Sequence, residues 1–153
     1  MKNNKSRNGF TLIELIIVMV ILGIMAAVAV PRYLDSISNA EEAAEDAVIS
    51  AIRSGLTQYA NNSLYESGRA EWPTNPFDAL AEKPVGYSLD ESDADVDGEW
   101  TFSGGRITHQ RADNTRWQWT YNAGINHGTD GDVTGSLFKR TELGIAGTEI
   151  RFQ

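Results

Sequence analysis

Cysteine is missing from all 153 residues. No disulfide, thiolate metal site or cysteine nucleophile can form, and the redox compartment is left open. Histidine is almost missing too: His109 and His127 are the only two, and they lack the spacing of paired metal ligands. The chain has no nucleophile elbow, phosphate-binding glycine loop or paired-histidine metalloprotease motif, so no enzymatic activity is expected. Basic charge is also in short supply, with 13 Lys and Arg against 21 Asp and Glu, a net charge of −8. Three of the basic residues, Lys2, Lys5 and Arg7, precede residue 10, which leaves 10 basic against 21 acidic residues, a net −11, in the remainder. So acidic a body is poorly suited to a phosphate backbone, and no nucleic-acid partner is expected. The length allows one domain with one core.

What the sequence does have is one long apolar run. From Leu15 to Pro31, 17 residues carry no charge, and counted from Phe10 the run reaches 22 with Glu14 as its only charged member. About 20 apolar residues suffice to span a bilayer as a helix. The basic residues come first, so the start is expected on the cytoplasmic side, with everything after Arg32 across the inner membrane. One reading is a secretory signal, since Ala27-Val28-Ala29 has the small-x-small pattern that signal peptidase cuts. The product would then be a soluble periplasmic binding protein. Two features favour a retained helix instead. A carboxylate at the centre of a spanning helix costs about 2.5–3.5 kcal/mol, and a disposable signal gains nothing from it. Helical patterning also continues past Pro31.

Gly9 followed by "FTLIEL" resembles the processing site of type IV prepilins and of the pseudopilins of type II secretion. The hydrophilic leader, Phe10, Glu14, Gly23 and Pro31 all stand where that family has them, over about residues 7 to 33. The resemblance implies that a membrane peptidase cuts after Gly9 and N-methylates Phe10. Residues 1–9 would be the leader and 10–31 the membrane and assembly helix. It implies further that Glu14 faces the Phe10 amine of a neighbouring subunit in a filament. Two charges that are costly alone in an apolar medium are tolerated as a pair, and removing one strands the other. A bond from Glu14 to its own amine, or a place in the wet interfacial zone, stays open as an alternative. The implied partners are like or related pilin subunits, the prepilin peptidase and methyltransferase, and an inner-membrane assembly platform. The chain would be a single-pass inner-membrane protein before assembly and part of an extracellular or periplasmic filament afterwards.

The second half of the helix, residues 32–66, is expected to be amphipathic. Leu34, Ile37, Ala40, Ala44, Ala47, Val48, Ala51, Ile52, Leu56 and Tyr59 recur near a 3.6-residue period. Asp35, Glu41, Glu42, Glu45, Asp46 and Arg53 take the other face, and "EEAAED" reads as solvated, or as an intersubunit contact with Arg32 or Arg53. Joined to the apolar half, this makes one helix ~80 Å long at 1.5 Å per residue. Pro31 should bend it, and Gly23 is a weak helix former. The stretch between them either loses helix on assembly, as in many type IV pilins by the same resemblance, or is kinked and continuous.

Residues 67–153 read as a β-rich body. "NPFDALAEKP" contains one short helical turn, "EWTFS" and "RITHQ" form a hairpin across Gly104-Gly105, and "RWQWTY" alternates. "TEIRF" is a closing strand. A long helix packed on an antiparallel sheet is an α+β arrangement, which is also the pilin fold. The body resembles pilin-like proteins of the mannose-sensitive haemagglutinin type, favouring a pilus subunit over a secretion pseudopilin. Many major pilins close a carboxy-terminal loop with a disulfide; if residues 122–150 are held at all here, packing, hydrogen bonds or a metal must hold them.

"DADVDG" has the alternating acids of a calcium loop at Asp93, Asp95 and Asp97, but the acid an EF-hand needs later is Gly104. A flexible acidic turn competes with calcium binding there. Asp130 and Asp132 form a second calcium candidate, by resemblance to the carboxy-terminal loops of major pseudopilins. Trp72, Trp100, Trp117, Trp119 and Tyr121 are expected in the core and in cross-strand pairs rather than stacked on bases.

Overall fold

The computed structural model describes residues 9–89, 92–123 and 135–145. Helix α1 runs without interruption from Leu12 to Ser67, through both Gly23 and Pro31. It stops at Gly68, whose φ of +77° is the left-handed conformation that ends many helices. The chain divides into two compact units within this helix, one reaching Ala43 and the other starting at Ala44.

In the first unit the apolar side chains from Phe10 to Leu34 are exposed, Phe10 at 95%. This part of α1 is long and apolar enough to cross a membrane.

The second unit holds the core. After α1 come a short 3-10 helix, Pro76–Ala79, and five strands: β1 Trp100–Ser103, β2 Arg106–Gln110, β3 Thr115–Asn122, β4 Ser136–Leu137 and β5 Thr141–Ile145. The first three form an antiparallel meander, with Phe102 opposite Ile107 and Ile107 opposite Trp119. Gly104 and Gly105 both have positive φ, +56° and +79°, which suits the two-residue turn whose twist matches the strands. Strand β3 then pairs antiparallel with β4 near Tyr121 and with β5 from Thr115 to Gln118, across an irregularity at Arg116/Trp117. The 3-10 turn is capped by Asn75, whose side chain accepts from Phe77 N–H at 3.0 Å. It packs so closely on α1 that a Cβ at Gly55 would stand 2.5 Å from Ala79 O, so that position must be glycine.

Ile49, Ile52 and Leu56 of α1 pack with Phe77, Trp100, Ile107, Trp119 and Tyr121. Burying each aliphatic side chain contributes about 1.5–3 kcal/mol. The Tyr121 hydroxyl donates to Pro73 O at 2.8 Å, and burial, with the nearby Tyr59, pushes its pKa up to about 12.

The structure corrects the expected stripe. The buried positions of α1 are Glu45, Ile49, Ile52, Leu56 and Ala60, whereas Ala44, Ala47, Ala51 and Tyr59 are exposed. The core-facing line is rotated by about one residue because it is centred on the large side chains, not on the alanines. The expected strand "TEIRF" lies outside the described residues. Strands β4 and β5 were not anticipated: β4 has two residues, and β5 pairs with β3 across a register shift, with Gly144 at a φ of +97°.

Candidate functional site

The start of α1 is fixed by its own sequence. Thr11 is the N-cap, and its carbonyl accepts the first helical bond, from Leu15 N–H at 3.3 Å. Its hydroxyl accepts from Glu14 N–H at 3.3 Å, while Glu14 Oε2 accepts from Thr11 N–H at 2.8 Å and from the Thr11 hydroxyl at 2.7 Å. This reciprocal Thr-x-x-Glu arrangement is a capping box. Phe10 therefore lies just outside the helix, and the Gly9–Phe10 bond sits in exposed, non-helical backbone. A Cβ added at Gly9 or at Gly23 would meet nothing within 4 Å. Neither position is glycine for want of room in the chain.

Among the described residues, the groups bonded to the Glu14 carboxylate are the Thr11 amide and hydroxyl, and no cation pairs with it. The acid thus stands in an exposed apolar surface with local dipoles alone. The structure brings Phe10 and Glu14 to one end of the helix and leaves Gly23 and Pro31 further along its length.

A second acid was read wrongly from the sequence. Glu45, expected on a solvated face, is 0% exposed. Its Oε1 accepts from Arg111 Nε at 2.7 Å and from His109 Nδ1 at 3.0 Å, and its Oε2 from Arg111 Nη2 at 2.7 Å and Arg140 Nη1 at 3.0 Å. The fork of Arg111 matches both carboxylate oxygens, the strongest geometry for such a pair. Burial alone would raise the Glu45 pKa, but the hydrogen bonds and charges of Arg111 and His109 outweigh it and hold the value at about 2. Arg111 and Arg140 each lie over the ring of Trp117, at 4.9 and 5.0 Å, and Trp100 stacks on His109 at 4.2 Å. His109, read as an isolated strand residue, belongs to this cluster. No local pattern could have announced it, because the partners lie 64, 66 and 95 residues from Glu45.

The acids of "DADVDG" do not gather on one point. Asp93 pairs with Arg106 Nη2 at 3.3 Å, Asp95 N–H donates to Glu99, and Asp97 accepts from Gln110. Among the described residues no three Asp, Glu, His or Cys side chains are grouped to hold a metal. Asp130, Asp132 and His127 lie outside the described residues.

An exposed Gly9–Phe10 bond, a capped apolar helix whose one acid has no cation partner among the described residues, and an α+β body accompany a prepilin-type amino-terminal motif. The family model that matches is the prokaryotic N-terminal methylation motif, over residues 4–30. The type IV narrow pilus major component of Thermus thermophilus is 56% identical over 46 residues, 30% of this chain and 40% of that one. A fimbrial protein of Neisseria meningitidis is 40% identical over 72 residues, 47% of this chain and 39% of that one. Type II secretion system core protein G of Pseudomonas aeruginosa is 36% identical over 83 residues, 54% of this chain and 55% of that one. The chain spans about two fifths of the length of the first of these relatives. No solved structure matches significantly. The motif at residues 4–30 is the part the family model shows, and the relatives named above are two pilus or fimbrial proteins and a type II secretion protein.

Proposed function

We propose that this chain is a structural subunit of a type IV pilus-like filament, not an enzyme, and that it assembles through the first half of α1. The observation that carries the reading is a helix whose apolar side chains are exposed from Phe10 to Leu34 and whose one acid, Glu14, has no cationic partner among the described residues. The prepilin peptidase cuts after Gly9, on the cytoplasmic side, and methylates Phe10. The new amine remains positive. In the filament it faces Glu14 of a neighbouring subunit, which fixes the axial register, while packing of the apolar helices supplies cohesion. Before assembly the helix anchors the chain in the inner membrane, with the body on the periplasmic side, as the Lys2, Lys5 and Arg7 leader favours. Other pilin subunits and the membrane assembly platform are its partners.

A second reading, a pseudopilin of type II secretion, is favoured by the similarity to core protein G, which covers a larger share of its relative than either pilin match described above. The same helix and the same acid would then serve a short periplasmic filament.

Intact-mass measurement of the native chain tests the shared step. The expected mature chain starts at N-methyl-Phe10, and Gly9→Val leaves the whole population with residues 1–9 attached. A mature chain starting at Val30 would instead indicate signal peptidase and overturn both readings.

A further inference from the structure

The uncharged stretch of α1 has a charge at each end. Glu14 and Arg32 are 18 residues apart, ~27 Å along a helix at 1.5 Å per residue. The hydrocarbon core of a bilayer is ~30 Å thick, and a few ångströms less in thin membranes. A helix crossing such a core can therefore keep one charge at each face only if it stands nearly upright. A tilt of ~30° would shorten the span to ~23 Å and draw both charges inward.

The Glu14 end is fixed by the backbone. The capping box takes up the N–H groups of Thr11 and Glu14, while those of Leu12 and Ile13 have no partner among the described residues. An unpaired amide costs several kcal/mol in hydrocarbon, so this turn has to stay where water or headgroups reach it. The other end is fixed by side chains. Arg32 is exposed, and among the described residues no acid is bonded to it, Asp35 one turn on included. Tyr33 beside it is 67% exposed. The guanidinium fork matches the oxygens of a phosphate, its stem lies along apolar surface while its head stays wet, and tyrosine favours the headgroup level. Leu34 and Ile37 are exposed just beyond. They are apolar area that would sink into the hydrocarbon if nothing at Arg32 stopped the helix.

We propose that Arg32 and Tyr33 dock on the phosphate of a membrane phospholipid, and that this contact, opposite the capped turn at Glu14, sets the depth of α1 and limits its tilt. The inference rests on the membrane-anchored reading above. Leaving the bilayer for a filament then means giving up a headgroup contact at Arg32 as well as apolar contact with lipid tails.

Because the chain has no cysteine, a single introduced one can carry a spin label at a chosen depth. The full chain, with Leu22→Cys or Ser36→Cys, is placed at low density in vesicles of phosphatidylethanolamine and phosphatidylglycerol. Depth is read from collisions of the label with oxygen and with a nickel chelate, and thermal melting of the body verifies the fold of each variant. The expected result is a Leu22→Cys label near the bilayer centre and a Ser36→Cys label outside the hydrocarbon. Adding Arg32→Leu moves the Ser36→Cys label inward by about one turn, ~5 Å, whereas Arg32→Lys, which keeps the charge, leaves it in place. In the natural chain, lipid phosphorus dephases the solid-state NMR signal of labelled arginine Cζ, and Arg32→Lys lowers that dephasing by the share of one arginine. An unmoved Ser36→Cys label in Arg32→Leu, with the Leu22→Cys label still at the centre, would overturn the proposal and leave the membrane reading standing. Dephasing unchanged by Arg32→Lys would do the same. A shift seen only at high protein density would assign Arg32 to an acid of a second copy and overturn it as well. A Leu22→Cys label open to the nickel chelate would overturn both.

Discussion

Glu14 and Glu45 carry the same carboxylate on the same helix, 31 residues apart, in opposite circumstances. Glu45 is fully buried and bonded by Arg111, Arg140 and His109. Glu14 is exposed on an apolar surface and is bonded by the amide and hydroxyl of Thr11. In the body the chain supplies the countercharge itself, and the acid becomes part of the fold. In the first half of α1 the described residues supply dipoles and no cation, so compensation in an apolar medium is left to a group beyond them. Under the proposed function, the difference between the two acids separates a residue kept for folding from one kept for assembly, and it follows from the cost of an uncompensated charge away from water.

That contrast can be broken most directly at Glu14. Glu14→Val should reduce filament yield at least tenfold, a loss of ~1.4 kcal/mol or more in assembly free energy, with the thermal melt of the body unchanged. Equal yield from Glu14→Val and the natural chain, counted by electron microscopy, would remove the assembly role. Glu45→Ala should do the reverse. It strands Arg111 and Arg140, and chemical denaturation should show a loss of about 3–5 kcal/mol, with processing at Gly9 intact.

Acid sharpens the same comparison. The Glu45 pKa is held at about 2 in the folded chain against 4.5 for the ordinary group. Its contribution is therefore complete above about pH 4.5 and is lost as pH falls toward 2, at most ~3 kcal/mol in all. Denaturation at pH 6 and at pH 2.5 should show a steeper loss for the natural chain than for Glu45→Gln; parallel losses would rule the linkage out. The smallest effect is expected at the outer cation. Arg140 makes one bond to Glu45 where Arg111 makes two. Arg140→Ala should then cost about 1–2 kcal/mol in the same assay, clearly less than Arg111→Ala.

The parts of the fold readable in the sequence were those decided locally. The 3-10 turn at Pro76, the hairpin across Gly104-Gly105 and the alternation that puts Trp119 and Tyr121 in the core each need only a few neighbouring residues. The prepilin-type motif is equally local, which is why Gly9, Phe10 and Glu14 stood out. Glu45 could not be read this way. An acid in "EEAAED" looks solvated until Arg111 and Arg140 arrive from the sheet, and nothing near residue 45 encodes their arrival. The shift of the core line from Ala47 and Ala51 to Ile49, beside the expected Ile52, has a related cause. A helix packs through its largest side chains, and a run of alanines blurs the period that reports its direction. Asp97 met the opposite fate. The motif grouped it with Asp93 and Asp95, while the fold set it beside Gln110 and Asn114.

Arg140 lies beyond β4, in the stretch that many major pilins fasten with a covalent bridge, and here it reaches Glu45 and the face of Trp117 instead. Such a clasp answers to protons and not to electrons. It can close in a reducing or an oxidising compartment, without an oxidase or an isomerase, and only acid strong enough to protonate Glu45 weakens it.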